Sequence, residues 1–479
     1  YLGSAVVREL IDFGDQDQVD SYPDGLRPVV KGSAIAMDGN TLVIGGQLRG
    51  ADYGVAYVYD WNGSGWTETA KLYPGDKGTG GQGFGYSVAI DGDQIIVGSP
   101  WDNTNGAYAG AAYVFERSGG NWSQIAKLVA NDIWIGDAFG ISVDISNGRA
   151  VVGAPGVYAV ELETDVILSE TAISTAGIDP ADIVRTINNT ANDSVYVFTQ
   201  SGANWGQTLA WYFGFDGGRA VALDDDLLVV GTPEYNNASG RVWVYEDTGN
   251  SWNYRDILTP SDPDAGEQFG RALALDGDRI VVGAPFWDGL DSDNADGDNN
   301  VATGGDRADQ GRAFVFDRVG NSNNWLREAR LTADGGLPSI EAANEGRAGD
   351  QFGLSVAVGG NYVIAGAPGY DGKPEGAGPE IDAANNAGAA YVFFERPEAG
   401  SGNGETWVRS SGSSGSGRLM APIPAGFDPD APLADSFGGG VAISGTRISV
   451  AMPGYNDTRV IDDPNDPFDG TEQIIRDDI

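Results

Sequence analysis

Short apolar runs separated by turn residues fill this chain. Ser87-Val88-Ala89-Ile90 and Ile95-Ile96-Val97 are rich in β-branched residues, and the polar Asp91-Gly92-Asp93 lies between them. Because Asp-Gly favours the tight turn between two paired strands, this segment predicts a β-hairpin. We find no helical periodicity in the apolar positions. The pattern therefore predicts an all-β protein.

The same hairpin recurs at a period of roughly 50 residues. A glycine precedes its first strand in seven places, of which the first is degenerate: Gly32, Gly85, Gly140, Gly218, Gly270, Gly353 and Gly438. A second glycine, replaced by alanine in the last copy, closes its second strand: Gly45, Gly98, Gly153, Gly231, Gly283, Gly366 and Ala451. Repetition at this period indicates one supersecondary unit copied around a ring or along an array.

Two further strands complete each copy. The third alternates aromatic and aliphatic residues, as in Ala112-Tyr113-Val114-Phe115. The fourth usually opens on tryptophan: Trp66, Trp122, Trp205, Trp252, Trp325 and Trp407. Four antiparallel strands in each of seven copies predict a seven-bladed β-propeller. We expect the recurring Phe-Gly, Gly-x-Pro and Trp residues to pack between the blades.

The two ends of the chain are predicted to share one blade. The repeats start near residues 30, 84, 139, 217, 269, 352 and 437, and the last copy lacks a fourth strand, with Glu472 to Arg476 as its third. The N-terminal strand, near residues 5–11, follows the fourth-strand pattern. Pairing between them would remove an open sheet edge. Residues 1–479 are therefore expected to form a single closed domain.

The repeated phrases resemble the FG-GAP repeats of the integrin α-subunit propeller and its bacterial and archaeal relatives. Phe-Gly, Gly-Ala-Pro and the Tyr-Val-Phe strand recur in order over nearly the whole chain, with Gly153-Ala154-Pro155 as one example. The resemblance implies a fold that serves adhesion modules, enzyme appendages and structural subunits alike. Integrin-type repeats often carry a calcium loop in the first hairpin. Here those turns are too short to surround an ion, so the family's usual calcium sites are not expected.

The amino-acid composition excludes several classes of partner and of catalytic or metal site. The formal net charge is −41, which disfavours nucleic acid and anionic membrane surfaces as partners. The chain has no histidine and no cysteine, which excludes histidine-assisted nucleophiles, histidine-ligated metals, thiolate sites and disulfides. It begins within strand pattern and contains no signal peptide or long apolar span, so we expect a mature or excised piece of an exported protein. Asn-x-Ser/Thr tripeptides offer glycan sites at Asn62, Asn121, Asn188, Asn192, Asn237 and Asn456.

Four long insertions, at residues 156–193, 286–310, 369–387 and 454–471, are expected on one face of the ring, where binding concentrates. The blade-five insertion alternates carboxylates with glycine and is a candidate Ca²⁺ loop, although it does not fit the EF-hand spacing: Asp288, Asp291, Asp293, Asp296 and Asp298. Four aromatic residues follow the Gly-x-Pro segments and are candidate partner contacts: Phe286, Trp287, Tyr370 and Tyr455. The alternative for the aspartates is an ordinary solvated acidic loop, and the alternative for the aromatic residues is ordinary packing at the rim of the propeller.

Two functions from different classes remain open. One is a non-catalytic extracellular or cell-surface module that binds a protein or glycan through the insertion-bearing face, as an adhesin or as a subunit of a surface filament or layer. The other is a carbohydrate-active enzyme, a lyase or hydrolase, with acidic residues at the propeller mouth. Such an enzyme needs a pocket with two carboxylates roughly 5–10 Å apart. The sequence singles out no such pair, so no catalytic residue is assigned.

Overall fold

The computed structural model describes the repeated strands and the shorter connections between them. The described residues are 7–10, 34–46, 54–76, 82–156, 193–249, 251–288, 309–320, 324–333, 349–370, 388–396, 406–409, 418–419, 436–445, 447–451 and 473–477. Within them every regular element is a β-strand apart from one short helical turn, α1 (Tyr235–Ala238). In this part of the chain no helix is long and apolar enough to cross a membrane.

Six blades are each formed by four antiparallel strands that are consecutive in the chain. Blades one and two are β2–β5 (Ile35–Asp38, Thr41–Gly46, Val55–Trp61, Trp66–Leu72) and β6–β9 (Val88–Asp91, Gln94–Ser99, Ala111–Ser118, Asn121–Leu128). Blades three and four are β10–β13 (Ser142–Ser146, Arg149–Ala154, Ser194–Ser201, Asn204–Tyr212) and β14–β17 (Val221–Asp224, Leu227–Thr232, Arg241–Asp247, Trp252–Leu258). Blades five and six are β18–β21 (Ala272–Asp276, Arg279–Ala284, Arg312–Arg318, Trp325–Leu331) and β22–β25 (Ser355–Gly359, Tyr362–Ala367, Ala389–Arg396, Thr406–Arg409), with β26 (Arg418–Leu419) also paired to β24.

One further sheet joins the two ends of the chain. Its strands are β27 (Gly440–Ser444), β28 (Arg447–Ala451), β29 (Gln473–Asp477) and β1 (Val7–Leu10), and β1 pairs antiparallel with β29. The predicted count of seven blades is thus corrected to six blades of continuous chain, beside this composite sheet of the two chain ends. The difference arises because the last copy ends before its fourth strand, so that strand comes from the opposite end of the sequence.

The first strands of successive sheets pack side by side around a central axis. The order of contact is β2, β6, β10, β14, β18, β22 and β27, and β27 also packs against β2. The valines and isoleucines of the second strands are buried between neighbouring sheets, as Ile95, Ile96 and Val97 illustrate. The short apolar runs of the sequence are therefore the inter-blade core.

The paired glycines of the repeat mark where successive blades touch. A Cβ on Gly98 would lie 2.1 Å from the carbonyl oxygen of Gly140 in the next blade, a distance that no side chain tolerates. The same approach recurs for Gly45 and Gly85, Gly153 and Gly218, Gly231 and Gly270, Gly283 and Gly353, and Gly366 and Gly438. Gly140 itself has a φ of +97°, which favours glycine. Both glycines are thus required by backbone packing.

The phenylalanine of each Phe-Gly segment is buried within its own blade. Phe84 packs edge-on against Tyr113 and Phe115, with ring centroids 5.5 and 6.0 Å apart. Phe139, Phe269 and Phe352 make equivalent contacts with the third strands of their blades. Phe84 and Phe139 also share apolar clusters with residues of the preceding blade, such as Val58 and Val114, so they pack between blades as expected.

Candidate functional site

The ring has two ends with different chemistry. The turns between first and second strands, such as Asp91–Gln94, lie at what we call the hairpin end. The connections from second to third strands, such as the one between Thr232 and Arg241, lie at the opposite end, which we call the loop end.

A cavity of about 590 Å³ opens at the hairpin end of the central axis. The first strands supply its wall, and five carboxylates line it: Asp38, Asp91, Asp144, Asp224 and Asp276. No lysine or arginine is among the lining residues that the structure describes. The mouth is therefore an acidic chamber without a compensating cation from the wall.

Most of these carboxylates hold neighbouring blades together. The Asp38 carboxylate accepts the backbone N–H of Gly92 in the next blade at 2.8 Å, and Asp276 accepts that of Gly360 at 2.6 Å. Asp91, Ser146, Asp224 and Ser444 accept equivalent N–H groups from Asn147, Asp225, Gly277 and Gly39. Blade six interrupts this series because its turn residue is Gly359, which has no side chain. In every sheet except blade six, one side-chain acceptor therefore has a structural role.

Asp144 is the carboxylate that lies deepest in the wall of the mouth. It accepts the N–H of Leu223 in the next blade at 2.7 Å and that of Ile145 at 2.8 Å. Burial raises the pKa of Asp144 to about 7, and the neighbouring Asp224 and Asp91 act in the same direction. Burial also raises the pKa of Asp224. The acidic mouth thus includes a carboxyl group that exchanges its proton near neutral pH.

The described residues contain no cluster of three or more acidic side chains placed to hold a metal ion. Of the five aspartates predicted as a calcium loop, Asp288 is described, and its carboxylate accepts the N–H of Asp309 at 3.1 Å. Asp291, Asp293, Asp296 and Asp298 lie outside the described residues. The calcium prediction therefore remains a prediction.

At the loop end, one position per blade usually carries a buried polar side chain. The position is identified in each blade by a backbone hydrogen bond. The backbone carbonyl of the residue at this position accepts the N–H of the residue that follows the Gly-x-Pro proline. The position holds Gln82, Asp137, Glu267 and Asp350 in blades two, three, five and six, all of them buried. In blade four the position holds Phe215, whose side chain is 51% exposed. We did not recognise this position from the sequence, although aligning the copies on their Phe-Gly segments reveals it.

Blade five shows what the buried acid does. Arg312, the first residue of β20, is fully buried, and its Nε and Nη2 atoms donate to one Glu267 oxygen at 2.8 and 2.6 Å. Its guanidinium also lies over the rings of Trp287 and Phe314, at 4.8 and 4.9 Å from their centroids. Asp262 completes the pairing, at 3.1 Å from Nη1. Blade five therefore buries a fully paired arginine between two aromatic rings.

Blade four repeats the arginine and the rings but not the acid. Arg241, the first residue of β16, corresponds to Arg312, and its guanidinium lies 3.6 Å from the ring centroid of Tyr235 and 4.4 Å from that of Trp243. Among the arginines whose side chains the structure describes, it is the one with neither a hydrogen bond nor an ion pair to its guanidinium. The missing partner corresponds to Phe215.

Two of the predicted contact residues are buried. Trp287 is 4% exposed beneath Arg312, and Tyr370 is 4% exposed with its ring edge-on to Tyr391. Phe286 is partly buried, and Tyr455 lies outside the described residues. The burial of Trp287 and Tyr370 gives both a packing role in the described structure.

Other aromatic side chains are exposed instead. Trp134 (44%) and Tyr212 (61%) lie on neighbouring segments at the loop end, where the Tyr212 hydroxyl donates to Asp132, two residues from Trp134. Phe215 lies three residues after Tyr212, and Tyr108 (39%) precedes the third strand of blade two. Sequence reasoning missed these residues because they lie in short connections or, for Tyr212, at a strand end, and not in the long insertions.

The repeats match a described family. Four segments match the FG-GAP repeat: residues 66–115, 122–162, 252–316 and 342–393. No curated protein matches the chain. A crystal structure of a protein from Lactobacillus plantarum is similar to it at 12% sequence identity and a TM-score of 0.40, over 84% of this chain and 86% of that one. The chain therefore carries FG-GAP repeats, and they form the four-stranded antiparallel blades of a β-propeller.

Proposed function

We propose that this protein is a non-catalytic extracellular or cell-surface module that binds a protein or glycan through the loop end of its propeller. The observation that carries the proposal is the exposure of Tyr108, Trp134, Tyr212 and Phe215 at that end. Large aromatic side chains cost free energy in water and are the residues that most often anchor interfaces. Their rigid blades pre-order them for contact, which lowers the entropic cost of binding.

The arrangement of the connections supports the same end. The four long insertions of the sequence all join second to third strands, so both their roots and the exposed aromatics belong to the loop end. At the hairpin end the turns between first and second strands are short, and their backbone N–H groups donate hydrogen bonds to side chains of the preceding blade, as Gly92 and Gly360 show. The loop end therefore offers a binding partner more surface that is not already committed to contacts between blades.

The biological setting follows from composition and resemblance. A net charge of −41 without cysteine or histidine suits an exported protein whose partners are neither nucleic acid nor membrane lipid. We place it in the bacterial or archaeal branch of integrin-like propellers, where adhesion, or membership of a surface filament through self-association, fits a rigid ring. In this proposal the pairing of β29 with β1 closes the ring.

An attachment assay tests the proposed function. The purified protein is applied to intact cells of its producing organism, and bound protein is quantified. We expect the double substitution Trp134→Ala and Tyr212→Ala to lower attachment at least tenfold, because both side chains are exposed. Leu326→Ala is the matched control, an equally exposed apolar residue at the hairpin end. Equal loss with Leu326→Ala, or full attachment of the double variant, would place the contact elsewhere.

Deleting the insertions provides a second test of the same role. Removing Leu290 to Asp306 and most of Gly156 to Asp193 leaves all the repeated strands intact, so the propeller should keep its unfolding temperature. Attachment or assembly should be lost if the insertions contribute to the contact. A trimmed protein with full affinity would restrict the site to the short connections.

We also propose that the blade-five insertion, residues 286–310, binds Ca²⁺. Asp288, Asp291, Asp293, Asp296 and Asp298 supply oxygen ligands of the kind that Ca²⁺ prefers. Isothermal titration of Asp293→Ala with Asp296→Ala should show one site fewer than the unchanged protein. The same stoichiometry in both proteins would remove calcium from the proposal.

A carbohydrate-active enzyme is the second candidate, and the acidic mouth is the observation that favours it. Asp144, with its pKa raised to about 7 by burial, has the proton affinity of a general acid, and four other aspartates share its cavity. Its test is the release of reducing ends from a panel of polysaccharides. Activity that disappears in Asp144→Asn would establish the enzyme, and no release by the unchanged protein would dismiss it.

A further inference from the structure

An unpaired arginine is unusual in so acidic a protein. The other arginines with described side chains have carboxylate, amide or carbonyl partners, as Arg255 has in Glu246 at 2.6 Å. Arg241 has two aromatic rings and no anion. Of its guanidinium nitrogens only Nε is buried without a partner, so the two terminal nitrogens are open to solvent. The terminal N–H donors of Arg241 are thus held in place at the surface without a partner from the described part of the protein.

The acids nearest in sequence are engaged elsewhere or replaced. Phe215 occupies the position from which Glu267 reaches Arg312 in blade five. Asp216, the next residue, interacts with Arg219 and Arg271, and Glu234 accepts a hydrogen bond from Gln268. Burial lowers the pKa of Arg241, which means that the charged guanidinium is less stable here than in water. A carboxylate from outside the chain would reverse that penalty.

The aromatic side chains around Arg241 indicate which kind of ligand would supply the carboxylate. The ring of Phe215 packs edge-on to Tyr235 at 5.4 Å, and the ring of Tyr254 packs edge-on to Trp243 at 6.1 Å. Phe215 and Tyr254 are 51% and 53% exposed, so exposed aromatic rings lie on both sides of the guanidinium. Aromatic faces of this kind suit the apolar C–H face of a sugar ring. A ligand that combines a carboxylate with such a face is a uronic acid.

We propose that Arg241, between Tyr235 and Trp243 and flanked by Phe215 and Tyr254, binds the carboxylate of a uronic-acid residue in an acidic glycan. The guanidinium donates paired hydrogen bonds through its terminal nitrogens, and the exposed rings pack against the sugar. The proposal rests on the proposed binding role of the loop end and names the ligand class of one site there. The net charge of −41 makes the affinity rise with ionic strength, because salt screens the repulsion between protein and glycan.

Titration calorimetry with an α-1,4-linked galacturonic acid trimer tests the proposal directly. Its methyl ester is the matched probe, since the ester keeps the sugar rings and removes the negative charge. At 0.5 M NaCl, a concentration chosen to screen the overall charge, we expect saturable binding of the acid and at least tenfold weaker binding of the ester. Equal affinity for both probes, or no saturable binding of the acid, would overturn the proposal.

Three variants locate the site. Arg241→Gln should weaken trimer binding at least tenfold, since it removes the guanidinium. Phe215→Glu should do the same by a different route, because it restores the internal partner that Glu267 provides in blade five. Arg255→Gln is the control, which removes a paired positive charge from the same blade and should leave affinity unchanged. Near-ultraviolet circular dichroism checks that each variant is folded.

The outcomes separate this inference from the proposed function. If Arg241→Gln and Phe215→Glu both leave the affinity for the trimer unchanged, the glycan does not bind at this site and the inference is wrong. The attachment assay tests the binding role of the loop end separately. A glutamate-containing peptide that binds through Arg241 when the trimer does not would show that the occupant is an acidic protein segment, and would overturn the glycan assignment.

Discussion

The buried carboxyl of Asp144 should make the protein less stable as the pH rises. Its pKa is raised from 3.8 to about 7 in the folded protein, so the folded state holds this proton more tightly than the unfolded chain does. The resulting stabilisation is complete below about pH 3.8 and is lost as the pH rises through 7. At about 1.4 kcal/mol for each tenfold change in proton affinity, the full difference is about 4 kcal/mol. Because Asp144 borders the open mouth, water solvates its charge, and we expect about 1 to 2 kcal/mol.

The substitution Asp144→Asn isolates this effect. The single asparagine oxygen can still accept the N–H of Leu223, but the amide nitrogen takes the place of the oxygen that accepts the N–H of Ile145. One hydrogen bond is therefore lost at every pH, and the comparison uses the pH dependence of stability and not its absolute value. Urea unfolding between pH 4 and 8 should show the free energy of unfolding falling by about 1 to 2 kcal/mol less in the variant than in the unchanged protein. Asp276→Asn, in the same mouth, controls for the loss of one negative charge. Parallel pH profiles for Asp144→Asn and the unchanged protein would refute the reasoning.

Three further predictions concern packing, each measured as the change in the free energy of unfolding in urea. Glu267→Gln at pH 8 should cost about 2 to 4 kcal/mol, because Arg312 would remain buried with weaker pairing, and a loss below about 0.5 kcal/mol would contradict this. Gly283→Ala should cost more than about 3 kcal/mol, since its Cβ would lie 2.0 Å from a backbone oxygen of the next blade, and a stable variant would contradict that close approach. Trp287→Ala should cost about 3 to 5 kcal/mol because Trp287 is buried, and Phe215→Ala should cost under about 1 kcal/mol because Phe215 is half exposed. Similar costs for the two variants would contradict this difference in burial.

Local signals in the sequence were enough to predict the blades. The Asp-Gly turns, the short β-branched runs and the aromatic third strands each specify a strand or hairpin within a few residues, and repetition makes the pattern unambiguous. The observed hairpin of Val88–Asp91 and Gln94–Ser99 lies where the sequence placed it. The incomplete last copy likewise pointed to the pairing of chain ends that β1 and β29 make. The predicted count of seven blades was wrong, since six blades are formed by continuous chain and the two chain ends form the composite sheet.

The candidate sites depend on contacts between segments far apart in the chain. Trp287 looked like a rim contact, but Arg312 covers it, and that arginine comes from the next strand. Whether Arg241 is paired depends on Phe215, which the fold brings to the position of the blade-five acid. The carboxylates of the mouth bond to turns one blade away. The sequence by itself determined the strands, because hydrophobic period and turn chemistry act between near neighbours. Only the tertiary structure decided which charges are paired and which rings are exposed, because burial and ion pairing depend on groups that meet when the ring closes.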